Sequence, residues 1–96
     1  MGLLHEKLVA KYEGSTIEVR ADNHILRGLI YKLFVDGAEV SEAQNFLKIP
    51  TERTLEADVV IGEKTRHVVV AVKQRMLRAE FALTVDGETL PLEQIS

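Results

Sequence analysis

Two Asp-Gly pairs, Asp36-Gly37 and Asp86-Gly87, each stand between alternating apolar stretches. Asp-Gly in that setting is what a two-residue β-hairpin demands, because both central residues of a type I′ turn take positive φ. A chain that makes this corner twice is committed to antiparallel sheet. The rest of the sequence agrees. His5 to Tyr12 alternates, with Leu8, Ala10 and Tyr12 on one side. Glu13-Gly14 reads as a tight turn, and Ser15 to Asp22 alternates again with Ile17, Val19 and Ala21 on one side. A two-residue turn sets Ala10 opposite Ile17 and Leu8 opposite Val19, so the apolar faces coincide. Asp22-Asn23-His24 reads as a second turn. Leu26 to Val35 then reads as a strand, with Leu29, Tyr31, Leu33 and Val35 together and Ala38 and Val40 returning opposite Val35 and Leu33. Gly28 inside that strand suggests a bulge.

Ser41 to Glu52 is less regular. Glu42 to Leu47 admits a helical turn or a bulged strand, and Pro50 ends it. Arg53 to Ile61 alternates cleanly, with Leu55, Ala57, Val59 and Ile61 against Thr54, Glu56, Asp58 and Val60. Gly62-Glu63-Lys64 turns the chain into Thr65 to Lys73. That strand holds His67-Val68-Val69-Val70-Ala71-Val72 and is apolar on both parities, the pattern of a central strand. A three-residue loop sets Val59 opposite His67 and Ala57 opposite Val69. Lys73 to Met76 turns again, and Leu77, Ala79, Phe81, Leu83 and Val85 share one face of the next strand. The second Asp-Gly returns the chain through Leu90 and Leu92.

The two corners lie at the same place in two similar stretches. Ile17 to Gly37 lies on His67 to Gly87 without a gap, matching Val19 with Val69, Ala21 with Ala71, and Leu33, Val35, Asp36 and Gly37 with Leu83, Val85, Asp86 and Gly87. The expected fold is all-β, an eight-strand antiparallel β-sandwich of two similar four-strand meanders related by an approximate two-fold. The halves span about 5–47 and 53–92 of a single domain covering 1–96. Length and composition allow this. The 96 residues are 46% hydrophobic but only 5% aromatic, so the core must be built from Val, Leu, Ile and Ala. Cysteine is absent, which removes disulfides, thiolate metal sites and thiol nucleophiles and fits a reducing, cytoplasmic setting. No apolar run is long enough to span a bilayer, and Met1-Gly2-Leu3-Leu4 is followed at once by His5, Glu6 and Lys7, so neither a signal peptide, a myristoyl site nor any membrane partner is expected.

The Thr16-Ile17-Glu18-Val19 strand, the close Leu33-Phe34-Val35-Asp36-Gly37, the Val68-Val69-Val70 strand and the second close Phe81 to Leu90 together resemble the Fas apoptotic inhibitory molecule family, over roughly Ser15 to Leu92. The resemblance implies an all-β, non-catalytic domain that works in the cytosol through protein partners. In animals that family opposes death-receptor signalling and protects against aggregation. No site residue follows from the resemblance.

The residues themselves offer little chemistry. His5, His24 and His67 have no metal-like spacing. His67 is expected to point inward at the edge of the core, and His24 to serve its turn. Glu56 and Asp58 share one face of one strand, with Glu80 expected across from Val70 on that face; carboxylates flanking a valine on open sheet make a solvated surface and not an acid–base dyad. No cofactor or metal is implied. Lys73, Arg75 and Arg78 cluster at one hairpin tip with Arg27 at the matching tip, and could meet an anionic partner. The net charge of −3 and the lack of an aromatic platform argue against nucleic acid there. With Val69 and Ala71 taken as inward, Val60, Val68, Val70, Val72 and Ala82 point outward, as do Ile30 and Phe34. An exposed apolar strip suggests a protein partner or a homodimer. The leading expectation is therefore a non-catalytic interaction domain using that strip or a sheet edge. The alternatives are a small ligand-binding or enzymatic site near His67, and weak nucleic-acid binding through the Lys73–Arg78 tip.

Overall fold

The computed structural model describes residues 5–45, 51–76 and 78–95. The readings made above for Met1 to Leu4, for Phe46 to Pro50 and for Leu77 lie outside those residues. The described residues contain no helix. They form nine strands: β1 (His5–Tyr12), β2 (Ser15–His24), β3 (Gly28–Val35), β4 (Ala38–Asn45), β5 (Thr51–Ile61), β6 (Lys64–Gln74), β7 (Ala79–Val85), β8 (Glu88–Leu90) and the two-residue β9 (Glu93–Gln94). Two antiparallel sheets result, ordered β4-β3-β2-β1-β9 and β5-β6-β7-β8. The all-β sandwich is thus present, as two four-strand meanders with β9 crossing to pair with Leu8 and Val9 of β1.

The turns form as their residues dictate. Glu13-Gly14, Asp36-Gly37 and Asp86-Gly87 take positive φ at both positions, as type I′ requires. The β1–β2 register is the expected one, with Ala10 opposite Ile17 and Leu8 opposite Val19. In the β3–β4 pair Phe34 faces Glu39 and Leu33 faces Ser41, so Val40 is the extra residue of a bulge. The bulge is there and not at Gly28, which opens β3 with a φ of 83° opposite His24.

One core joins the sheets. Ile17, Val19, Ala21, Leu29, Tyr31, Leu33 and Val35 pack against Leu55, Ile61, Val68, Val70, Val72, Leu83 and Val85. This corrects the face assigned to β6. Val68, Val70 and Val72 are 0, 0 and 2% exposed, while Ala71 lies open to solvent and Val69 is half-buried. The cause is the length of one turn. Ile61 pairs with Lys64, so the loop is the two residues Gly62-Glu63 and not three; Ala57 then faces Val68 and Asp58 faces His67. A one-residue slip moves every side chain of a strand to the other face. The same slip sits in the ungapped match of the two halves. Ile17 pairs with Val35, but it is Val68 that pairs with Val85. The chain between Asn23 and Leu29 (24–28) is one residue longer than that between Gln74 and Ala79 (75–78), so β6 matches β2 only after a gap.

Polar ties close both ends of this core. At the turn end, Asp36 N–H donates to the Thr16 carbonyl at 2.8 Å, and Asp36 accepts from Thr16 N–H on Oδ1 (2.9 Å) and from Ser15 Oγ on Oδ2 (2.8 Å). Asp86 is built alike. Its N–H donates to the His67 carbonyl, its Oδ1 accepts from His67 N–H, and its Oδ2 accepts from Arg66 Nη1 (2.8, 2.9 and 3.0 Å). Arg66 also donates through Nη2 to both oxygens of Glu13 at 3.0 Å, which ties the β1–β2 turn of one sheet to β6 of the other. At the opposite end, the buried Tyr31 hydroxyl donates to Gln74 Oε1 across the sandwich at 2.6 Å.

Candidate functional site

The outer face of the β5–β8 sheet holds a group of exposed titratable side chains, Glu56, Asp58 and His67. Outward parity on β5 is carried by Glu52, Thr54, Glu56, Asp58 and Val60, because Leu55 and Ile61 are taken by the core. The two-residue Gly62-Glu63 turn sets His67 directly opposite Asp58. His67 Nδ1 lies 2.8 Å from Asp58 Oδ1, and Nε2 lies 3.2 Å from Glu56 Oε2. Asp58 hydrogen bonding raises the His67 pKa above its ordinary value; desolvation opposes it, and the Asp58 charge and Glu56 add to the rise. The imidazolium form therefore gains charge-assisted bonds on both nitrogens. His67 was expected at the core edge; it points outward instead, half-exposed between two carboxylates. Among the described residues no group of His, Asp and Glu is arranged to hold a metal ion. Each ring nitrogen here faces its own carboxylate, which is the geometry of a charge clasp.

The group is hidden in the sequence because a three-residue loop after Ile61 sets Val59 opposite His67. The signal that would have found it is Gly62, since glycine at the first central position is the mark of a two-residue II′ loop. Beside the clasp, the outer face is made of short side chains, Val69, Ala71 and Ala82, with Ala71 directly opposite Ala82. Of the five residues expected to form an apolar interface, Val60 (69% exposed) and Ala82 do face solvent. Val68, Val70 and Val72 do not, and their burial removes them from any surface. On the other sheet, Ile30 and Phe34 have the outward parity but are buried, Phe34 beneath the Arg20 guanidinium 4.2 Å from its ring centre.

Strand β5 lies at the edge of its sheet, and among the described residues it is strand-paired on one side only, with Arg53 near its start donating to the Gln44 carbonyl of β4 at 3.2 Å. It is eleven residues long. An unpaired row of N–H and C=O groups of that length is a template for another strand. Edge strands are commonly guarded by charge, and the guard here is acidic.

The four expected cationic residues gather at the other end of the molecule. Arg27 donates to Glu42 at 2.5 Å, Arg75 and Arg78 both lie 3.5 Å from Glu80, and Lys73 pairs across the sheet with Glu52 and Glu80. His24 Nδ1 accepts from the Leu26 and Arg27 N–H groups at 3.2 Å, so it shapes its turn, although as the last residue of β2. Just inside this end, Glu6 takes the inward parity of β1. Burial raises its pKa, and the Arg78 guanidinium acts the other way. Glu6 Oε1 and Asn23 Oδ1 are buried without a hydrogen bond among the described residues.

The fold and these surfaces define an all-β sandwich whose exposed chemistry is charge pairing on an open sheet. No protein-family model, curated protein or solved structure matches the chain.

Proposed function

We propose that the chain is a non-catalytic protein-interaction domain that accepts a partner strand along β5. The observation that carries this reading is the edge of β5 that no described strand pairs, with Glu52, Glu56 and Asp58 in its outward row. The acids decide what can pair there. Two copies of β5 joined antiparallel about Thr54, Leu55, Glu56, Ala57 or Asp58 set acid against acid in every register, and like charges directly opposite are destabilising. The edge is thus guarded against its own copy. A partner strand with Lys or Arg on its outward row and apolar residues on the other meets the acids on one face and Ala57 and Val59, half-buried at the core margin, on the other.

The likeness to the Fas apoptotic inhibitory molecule family supports the same class of role, cytosolic and exerted through proteins. The matching bonds of Asp36 and Asp86 support reading the two halves as one unit used twice, with the gap noted above. The test is titration of the ¹⁵N-labelled chain with an acetylated, amidated peptide of alternating Val and Lys, about ten residues long, the length of a generous strand. Shifts and exchange protection confined to β5, lost in Glu56→Lys/Asp58→Lys, are expected. An untouched β5, or equal binding by an alternating Val-Glu peptide, overturns the reading.

A further inference from the structure

The three most exposed large apolar side chains among the described residues project from one end of the sandwich. Ile25 is 87% exposed, Leu26 77% and Met76 81%. Ile25 and Leu26 form the tip between β2 and β3, and Met76 stands at the tip between β6 and β7. The strands run along the 40 Å long axis, and the Tyr31–Gln74 bond ties the two sheets just behind these tips, so both tips cap the same end. In the sequence Leu26 falls within a strand-like stretch, which hides the apolar tip, and no membrane partner is expected from it. The structure ends β2 at His24 and opens β3 at Gly28, which leaves Leu26 in the turn.

The charge at this end is layered. The two connecting sequences, 24–28 and 75–78, contain Arg27, Arg75 and Arg78 and no acid. The acids that pair with these arginines, Glu42 and Glu80, lie on strands β4 and β7 and so behind the tips. Among the described residues these two tips are apolar and cationic, on a chain whose net charge is −3.

We infer that this end docks on an anionic lipid surface, with Ile25, Leu26 and Met76 entering the interface and Arg27, Arg75 and Arg78 meeting the lipid phosphates. Two observations select a bilayer over a protein. The apolar side chains stand on convex tips, and a protein must offer a matching pocket to each, whereas lipid closes around any protruding group. Each apolar tip has an arginine next to it in the chain, Arg27 after Leu26 and Arg75 before Met76, and a membrane likewise presents phosphate next to its acyl boundary. The contact is superficial, because it is made by the tips of two turns. It uses a different surface from β5 and stands or falls independently of it.

Co-sedimentation with phosphatidylcholine vesicles containing about a third phosphatidylserine tests the inference. The wild type is expected to bind these vesicles, to bind pure phosphatidylcholine far less, and to release as salt is raised. Ile25→Ser/Leu26→Ser and Met76→Ser should each weaken binding about tenfold or more. Each of Arg27→Gln, Arg75→Gln and Arg78→Gln should weaken it about fivefold. All these side chains lie in exposed turns, so circular dichroism should show the variants folded. No binding by the wild type, or binding indifferent to the tip variants, overturns the inference. So does tip-dependent self-association, seen by light scattering, without vesicle binding, because the tip is then a protein contact.

Discussion

Val70→Ala tests the packing of β6 most sharply. Val70 is fully buried, between Leu55 on β5 and Leu83 on β7. The substitution removes two buried carbons, worth about 1.6 kcal/mol at ~0.8 kcal/mol each. Two paired sheets cannot close the gap freely, so a cavity contribution of about 1 kcal/mol adds to this. The expected loss is about 2.5 kcal/mol. For a domain of this size each kcal/mol moves Tm by roughly 4–8 °C, so the melting midpoint should fall by about 10–20 °C. Val69→Ala is the control. Its side chain is half-buried on the outer face, and it should cost about 0.5 kcal/mol. Urea unfolding of the pair decides the matter, because both variants make the same chemical change in neighbouring residues. If Val69→Ala costs as much as or more than Val70→Ala, the face assignment is wrong, and with it the position of His67 beside Asp58.

Three further outcomes follow from the polar ties. Raising the His67 pKa makes its protonated form stabilising; that contribution is complete below the ordinary histidine value near 6.5 and is lost as pH rises through the higher native pKa. An NMR titration of the imidazole should show the raised midpoint, and Asp58→Asn should bring it down; a midpoint unmoved by that change removes the clasp. Backbone N–H donation from Thr16 to Asp36 and from His67 to Asp86 lowers both carboxyl pKa values. Their contribution is complete above the ordinary value near 4 and is lost as pH falls through the lower native values, so Asp36→Asn and Asp86→Asn should each shrink the acid-dependent part of stability measured by urea unfolding between about pH 5 and 2. Tyr31→Phe strands Gln74 Oε1 in the core and should cost about 1–3 kcal/mol; a thermal melt matching wild type would show that the hydroxyl is not its partner.

The sequence carried the fold wherever the apolar pattern was one-sided. In β1 and β2 only one parity is apolar, so the Glu13-Gly14 turn and the hydrophobic match gave one register, and the structure has it. The type I′ corners were legible because few residues besides Asp-Gly tolerate two positive φ values in succession. In β6 both parities are valine-rich, so the pattern held no information about which face is inward. That information lay in the length of the Gly62 turn and in a one-residue difference between the two halves. β9 is too short to have a pattern at all. The charge clasp at His67 was hidden for the same reason as the face of β6, since a side chain's neighbours across a sheet are fixed by register. The acidic row of β5 was legible, because Leu55, Ala57, Val59 and Ile61 alternate without exception against it.

Amide hydrogen exchange along β5 bears most directly on an interaction domain with an open edge. In the isolated chain, alternate amides of Thr51–Ile61 point away from β6 and should exchange fast, while those between them and the amides of β6 from Val68 to Val72 are protected. Uniform protection along β5 would mean that its edge is already covered, and that no partner strand can be received there.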